Sequence, residues 1–226
     1  MCIRDSPCLA PDAGLAAAAA QAGLGYEALI ARIAGAALPA PAPVPTPVRE
    51  AGDFVWRNRA RPGDAESVRR LVAATGFFNA EETLVAGDLV QEQLAKGEAS
   101  GYFFFFAEES GSGADASGQI LAGYACYGPV PGTADSFDLY WIAVAPQHQG
   151  QGLGGQLLAR AEADMAARGA RGIYAETSLR GQYGPTRRFY ERHGYAVCAR
   201  LDGFYAAGDD KIIYHKRASA AHTERT

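Results

Sequence analysis

Four closely spaced glycines, Gly150, Gly152, Gly154 and Gly155, are the residues of this chain whose type and spacing point most directly to chemistry. They lie between an apolar segment, residues 139–144, and a stretch with the apolar periodicity of a helix. Glycine lets the backbone approach a ligand closely, and the first N–H groups of a helix have no partner inside it, so such a junction binds anions. The pattern therefore predicts a cradle for a nucleotide-like ligand that carries a pyrophosphate.

Two loop types fit these glycines, and the spacing separates them. Gly150, Gly152 and Gly155 match the Gly-x-Gly-x-x-Gly fingerprint of dinucleotide-binding folds, with Glu176 about 20 residues further on as the ribose-binding acid. That fingerprint follows its strand directly, whereas residues 145–149, including Pro146, intervene here, and the chain that remains is too short for the rest of such a fold. The alternative is Gln/Arg-x-x-Gly-x-Gly/Ala, which residues 149–154 match; a P-loop is excluded because no Gly-Lys-Ser/Thr follows.

A second segment, residues 186–195, supports the alternative. It carries a Phe189-Tyr190 pair, then Gly194 at a position suited to the residue that follows a helix, then Tyr195. The two segments in this order resemble the GNAT superfamily of N-acetyltransferases, and the resemblance covers residues 54–217. It implies an α/β fold of the GNAT acyl-CoA N-acyltransferase type, a sandwich with a mixed β-sheet flanked by helices and splayed central strands, and it implies acetyl-CoA as the acetyl donor.

The resemblance also implies where the coenzyme binds. In this family the splayed strands free backbone N–H groups, so the N–H of Val144 would face the thioester oxygen while the glycine loop wraps the pyrophosphate. The implied coenzyme contacts are Ile142, Ala143, Val144, Gln149, Gly150, Gln151, Gly152, Leu153, Gly154, Gly155 and Tyr190. Tyr190 also matches the tyrosine that protonates the departing thiolate, although a tyrosine buried on a helix face would look the same in the sequence.

The base that deprotonates the acceptor amine stays open between two carboxylates and a water relay. Asp138 aligns with the glutamate base of the histone acetyltransferase branch, and strand alternation predicts that Asp138 shares a face with Tyr140, Ile142 and Val144. Glu176, at the end of the following strand, is the second candidate. Two histidines, His148 on an exposed loop and His193 at a helix end, are expected to have no catalytic role.

The acceptor is the part that the sequence determines least. The long loop at residues 177–184 is expected to line its entrance, and Arg180, Arg187 and Arg188 suit either an acceptor carboxylate or the coenzyme phosphates. We expect a primary amine of a small molecule or an amino acid. A non-catalytic module that binds acyl-CoA is the alternative, and the presence of Tyr190 argues against it.

Periodicity and turn residues predict the elements that position these groups. Helices are expected at residues 65–74, 80–96, 151–168 and 185–193. Strands are expected at residues 54–60, 102–108, 120–127, 138–144, 172–176, 195–201 and 211–216, with a polar hairpin loop at 110–118.

Composition narrows the class of protein. The net charge of −4 gives no basic excess for a nucleic-acid partner, and the most apolar stretch, residues 13–38, is too interrupted by polar residues for a membrane span. Acidic residues near the start argue against a signal peptide. The cysteines are scattered without metal-ligand spacing or a disulfide framework, which favours the cytoplasm: Cys2, Cys8, Cys126 and Cys198.

The sharpest boundary is a Pro/Ala-rich linker at residues 38–50, which separates residues 9–37 from the domain at 51–217. Residues 9–37 predict two short helices and resemble the C-terminal tail of D-alanine:D-alanine ligases of the ATP-grasp class, which implies a remnant without ligase activity. A fusion to, or association with, such a ligase stays open, as does a homodimer. Residues 1–8 resemble an artificial or truncated start, and residues 218–226 are expected to form a disordered tail.

Overall fold

A computed structural model of the chain describes residues 54–109 and 120–218. The expectations for the start, the helical remnant, the linker, the hairpin loop and nearly all of the tail lie outside the described residues.

The described residues form the predicted sequence of strands and helices, with ends that differ by a few residues. The first strand ends three residues earlier than predicted, at Arg57, and the helix after the glycine loop begins two residues later, at Leu153. The elements are β1 (Phe54–Arg57), α1 (Asp64–Thr75), α2 (Ala80–Lys96), β2 (Phe103–Glu109), β3 (Leu121–Pro129), β4 (Ser136–Val144), α3 (Leu153–Ala167), β5 (Gly172–Ser178), α4 (Gly184–Arg192), β6 (Ala196–Ala206) and β7 (Asp209–Arg217). Short 3₁₀ turns lie at Gly97–Ser100, Pro146–His148 and Gly181–Tyr183.

The strands form one mixed sheet in the order β1-β2-β3-β4-β5-β7-β6. Among the described strands, β4 and β5 are the one parallel pair, and every other neighbouring pair is antiparallel. A mixed sheet flanked by helices confirms the predicted fold class. A dinucleotide-binding fold requires a mainly parallel sheet, so the Gly-x-Gly-x-x-Gly interpretation is wrong.

Helices cover both faces of the sheet and divide the core in two. On one face, α3 and α4 pack Leu157, Met165 and Tyr190 against the central strands. On the other, α1 and α2 pack Val68 and Val90 against β2, β3 and β4. These two sides are called the α3/α4 face and the α1/α2 face below.

Local sequence explains where the helices begin and end. α2 begins after Asn79, whose side chain accepts from the backbone N–H of Glu82, while the Glu82 carboxylate accepts from the N–H of Asn79, both at 2.8 Å. Gly194 follows α4 with a φ of +82°, as predicted for a glycine that ends a helix.

Arg57 joins β1, β2 and α1 through a buried ion cluster. Its Nε donates to Glu108 Oε1 and its Nη1 donates to Asp64 Oδ2, both at 2.7 Å. All three side chains are at most 10% exposed, and the guanidinium lies 4.1 Å from the centre of the Phe106 ring. The cluster therefore fixes the first strand to the second strand and to the first helix.

Within residues 54–109 and 120–218, none of the helices has the length and apolar character needed to cross a lipid bilayer.

Candidate active site

The glycine loop has the geometry of an anion cradle. Gly150 and Gly152 adopt left-handed backbone conformations, with φ of +75° and +86°, that other residues rarely adopt. The first α-helical bond of α3 runs from the N–H of Gln156 to the carbonyl of Gly152, at 3.2 Å. The N–H groups of Leu153, Gly154 and Gly155 therefore have no partner inside the helix and face the loop, where an anion could bind.

Two glutamine side chains of the loop hold its own backbone. Gln149 Nε2 donates to the carbonyl oxygen of Val144 at 3.1 Å, and Gln151 Nε2 donates to that of Gln147 at 2.8 Å. These bonds fix the course of the chain from the end of β4 to the start of α3, so the cradle is formed by the protein alone.

The last two glycines also serve the packing of α4 against α3. A Cβ on Gly154 would lie 3.4 Å from Phe189, and one on Gly155 would lie 2.9 Å from His193 Nε2. α4 therefore packs against the side of the first turn of α3. The backbone N–H groups at the N-terminus of α3 still point into the loop.

The central strands part beside the loop. β4 and β5 pair from Ser136↔Gly172 to Leu139↔Ala175, and beyond that point β4 pairs with β3 alone while β5 pairs with β7 alone. The result is a gap in the sheet that opens toward the glycine loop, as the predicted splay requires.

Backbone groups of β4 face this gap. The N–H of Ala145 donates to Ala122 of β3 at 2.8 Å, so alternation along an antiparallel strand turns the N–H groups of Val144 and Ile142 away from β3. The contact of Gln149 with the Val144 carbonyl, which points the same way, agrees with this orientation. Donors from the strand and from the helix start therefore converge on one side of the gap.

Tyr190 lies on the α3/α4 face and is 4% exposed. Its ring centroid is 5.5 Å from that of Tyr214, whose partner in β5 is Ala175, the residue where the pairing with β4 ends. Burial, and to a lesser extent Tyr214, raises the pKa of Tyr190, so its phenol stays protonated at neutral pH. The Tyr190 ring therefore lies close to the point where the strands part, with its phenol protonated.

One prediction about β4 is wrong. A β-bulge places Leu139 and Trp141 opposite consecutive residues of β3 and skips Tyr140. Ile142 and Val144 consequently pack with the α3/α4 core, whereas Tyr140 and Trp141 pack with the α1/α2 core.

The bulge changes the surroundings of the two candidate bases. Asp138 lies on the α1/α2 face with Tyr140, whose pKa is raised by burial and by the Asp138 charge, and it does not share a face with Ile142 and Val144. Glu176 of β5 also lies on the α1/α2 face, because Ala175 before it packs in the core of the α3/α4 face. The carboxylates of Asp138 and Glu176 are thus on the side of the sheet opposite Tyr190.

Aromatic contacts that the sequence did not predict flank the gap on the α1/α2 face. Phe78, in the turn before α2, packs its ring 5.2 Å from that of Trp141. Tyr183 donates its hydroxyl to the carbonyl of Phe77 at 3.0 Å and so links the loop after β5 to the same turn. These partners are up to 106 positions apart, and the only local signal was an apolar pair, Phe77-Phe78, in a turn.

The charged groups of the loop after β5 mainly hold the loop itself. Arg180 Nε contacts Asp209 Oδ2 at 2.8 Å, and Arg187 Nη1 donates to the carbonyls of Ser178 and Arg180. His148 is not an exposed loop residue: its side chain is 17% exposed and lies 2.7 Å from Glu109 Oε1.

The sequence model of the acetyltransferase (GNAT) domain matches residues 100–197. A crystal structure from Desulfovibrio desulfuricans, of a protein assigned to the GNAT family of acetyltransferases, is 50% identical to this chain, with a TM-score of 0.69. The match covers 74% of this chain and 100% of that one.

Two more distant structures share the fold alone. The ribosomal-protein-S18-alanine N-acetyltransferase of Escherichia coli is 21% identical, with a TM-score of 0.56 over 77% of this chain and 99% of its own. YncA of Salmonella typhimurium, whose structure contains acetyl-CoA, is 18% identical, with a TM-score of 0.56 and the same coverage, 77% and 99%. No curated protein matches the chain.

Proposed function

Since the chain belongs to the GNAT family of acetyltransferases, we propose that it transfers an acetyl group from acetyl-CoA to a primary amine of a small molecule or an amino acid, by direct attack of the amine on the thioester. The observation that carries this proposal is the gap between β4 and β5 beside a preformed anion cradle. The acetyl-CoA in the YncA structure, which shares this fold, supports the choice of donor.

The donor half of the site fits a pyrophosphate thioester. The pyrophosphate would lie against the N–H groups of the Gly150–Gly155 segment at the start of α3, where the helix dipole favours negative charge. The thioester would enter the gap, where the N–H of Val144 can donate to its carbonyl oxygen. A preorganised donor at that oxygen stabilises the charge that develops during acyl transfer.

Tyr190 is the proposed acid. As the amine nitrogen bonds to the carbonyl carbon, the carbon–sulfur bond breaks and the departing sulfur takes the proton of the Tyr190 hydroxyl. The position of Tyr190 beside the end of the β4–β5 pairing supports this role.

The amine must also lose a proton. An amine with a pKa near 10.4 is almost fully protonated at pH 7, and its deprotonation costs roughly 4–5 kcal/mol, which a base has to offset. Asp138, Glu176 or a water relay is the proposed base. Both carboxylates lie across the sheet from Tyr190, so the acid and the base would reach the reacting atoms from opposite sides of the gap.

A small acceptor is supported by the aromatic groups on the α1/α2 face. The hydrogen bond from Tyr183 to Phe77 links the loop after β5 to the turn before α2, and Phe78 continues that contact to Trp141 of β4. This chain of contacts places aromatic side chains beside the gap on that face, and such a lining supports a small amine over a folded protein surface.

The test separates donor binding from turnover. Acetyl-CoA at 100 times its Kd should stabilise the full chain by about 2.7 kcal/mol in thermal unfolding, whereas a nicotinamide dinucleotide should not. Release of the coenzyme A thiol should then depend on an added primary amine from a panel of amines and amino acids, with N-acetylated panel members as inactive controls. Stabilisation without turnover on any amine would favour a non-catalytic acyl-CoA-binding module, and no stabilisation would refute the proposal.

A further inference from the structure

Lys211 of β7 is a lysine that the fold buries almost completely. Its side chain is 2% exposed, and its Nζ lies 2.5 Å from Glu176 Oε2 in β5. Removing an ammonium group from water is costly unless a partner compensates for it, so a buried lysine requires a specific arrangement around it.

Aromatic side chains of β6 cover this ion pair. Lys211 Nζ lies 4.1 Å from the centre of the Phe204 ring and 5.9 Å from that of Tyr205, distances at which a cation is attracted to an aromatic face. Both rings belong to an irregular segment of β6, between the Leu201↔Lys211 and Ala206↔Asp209 pairs, where the strand register shifts.

That segment is fixed by a buried carboxylate. Asp210, 6% exposed, accepts from the N–H of Gly203 and from Arg200 Nε, both at 2.7 Å. The backbone hydrogen bond, followed by the Arg200 contact, lowers the pKa of Asp210, which keeps this anchor ionised at neutral pH. The bonds to Asp210 therefore hold the backbone next to Phe204, and with it the position of the Phe204 ring over Lys211.

The ion pair lies at the edge of the gap. The β4–β5 pairing ends at Leu139↔Ala175, so Glu176 is the first residue of β5 that has lost its β4 neighbour. Glu176 also lies on the α1/α2 face, on the same side of the sheet as Asp138. The Glu176 carboxylate therefore lies on the side from which we expect an acceptor amine to approach the gap.

A second lysine of the same strand shows what a purely structural pair looks like. Lys216 contacts Glu162 of α3 at 2.7 Å, with side chains 25% and 19% exposed, and lies 5.4 Å from the centre of the Tyr195 ring. Lys216 lies on the α3/α4 face, since it is even-numbered like Ile212 and Tyr214 of that core. Both are lysine–glutamate pairs beside an aromatic ring; they differ in the exposure of the lysine, 2% against 25%, and in their position relative to the gap.

We propose that Lys211 is a positioning residue of the acceptor site: it holds the Glu176 carboxylate in place at the gap, so that Glu176 orients the acceptor nitrogen. This rests on the proposed acetyltransferase function. A carboxylate oxygen accepts a hydrogen bond from an amine N–H group, and the contact with Lys211 fixes the carboxylate that would do so. With Glu176 engaged in orienting the nitrogen, removal of the amine proton falls to Asp138 or to water.

The experiment compares Lys211→Met with Lys216→Met in the full chain. Lys211→Met should raise the KM for the acceptor amine by about 10- to 100-fold, the range for a lost hydrogen bond to a charged group, and leave the KM for acetyl-CoA within about twofold. Lys216→Met should change neither KM, although it removes a similar ion pair. Lys211→Arg, which keeps the cation, should recover most of the acceptor affinity.

Each failure has its own signature. An unchanged acceptor KM in folded Lys211→Met overturns the assignment, as does an equal rise in Lys216→Met. If Lys211→Met does not fold, the milder pair Glu176→Gln and Glu162→Gln provides the same comparison, and only Glu176→Gln should raise the acceptor KM. A wild-type chain that acetylates none of the amines refutes the proposed function, and the role of Lys211 with it.

Discussion

Replacing Tyr190 with phenylalanine removes one hydroxyl and keeps the surrounding packing. The ring lies 5.4 Å from Tyr195, 5.5 Å from Tyr214 and 5.5 Å from Phe189, between ring centroids, and phenylalanine fills the same space. Removing a buried hydroxyl changes the free energy of unfolding by about 1 kcal/mol, the usual contribution of one hydrogen bond. The melting temperature of Tyr190→Phe should therefore stay close to that of the wild type.

The effect on the rate should be much larger than the effect on stability. Proton transfer from a positioned side chain contributes about 10²- to 10⁴-fold, which corresponds to about 2.7–5.5 kcal/mol of activation free energy. We expect kcat to fall by that factor, with the KM for acetyl-CoA unchanged within about twofold. Because burial raises the pKa of Tyr190 above its ordinary value of 10.0, the wild type should show no loss of activity from Tyr190 ionisation below pH 10.

The assay is steady-state release of the coenzyme A thiol with the best acceptor of the panel, together with urea unfolding of both proteins. Tyr195→Phe is the matched control, because it makes the same change in the same aromatic cluster. A wild-type kcat in Tyr190→Phe would refute the assignment of Tyr190 as the acid. An equal loss in Tyr195→Phe would mean that the cluster acts only through packing.

Two other regions give further predictions. Gly152→Asp should abolish acetyl-CoA binding in calorimetric titration, because it places a carboxylate in the cradle. The circular dichroism spectrum should stay unchanged. The control is Gly169→Asp, which makes the same change at a left-handed glycine beyond the C-terminal end of α3. Acetyl-CoA binding by folded Gly152→Asp at wild-type affinity would show that the loop is only a turn. Arg57→Met should lower the free energy of unfolding by about 3–5 kcal/mol, because it removes the one buried cation that contacts both the Asp64 and the Glu108 carboxylates. The exposed ion pair of Arg171 offers the comparison: Arg171→Met should cost less than about 1 kcal/mol in urea unfolding, and an equally small loss for Arg57→Met would contradict the reasoning.

The geometry of the glycine loop in the candidate site was predictable because its residues are contiguous. Residues 149–155 include the glycines that the turn requires. Gly150 and Gly152 adopt left-handed backbone conformations, which glycine adopts without the steric cost that other residues have. The same holds for Gly194 after α4. In such segments the residue types are enough to predict the backbone conformation, because the interactions that fix it are local.

The acceptor half depends on irregularities that sequence periodicity does not reveal. Strand alternation placed Asp138 with Val144 because it assumes an unbroken strand, and one extra residue at Tyr140 reverses the faces beyond it. The burial of Lys211 likewise depends on an irregular segment of β6 and on a strand 35 positions away along the chain, in which Glu176 lies. Neither the faces of Asp138 and Val144 nor the contact between Lys211 and Glu176 can be predicted from neighbouring residues in the sequence.

The parting of β4 and β5 also bears on how this protein could diversify. The cradle and Tyr190 come from the loop after β4 and from α3 and α4, whereas the aromatic turn at Phe77-Phe78 and the β6–β7 hairpin come from other parts of the chain. On the proposed function, substitutions in those two outer segments would change which amine is accepted, while the segments that form the cradle stay as they are. We therefore expect descendants of this chain to diverge first in the turn at residues 76–79 and in residues 202–208, with affinity for acetyl-CoA preserved.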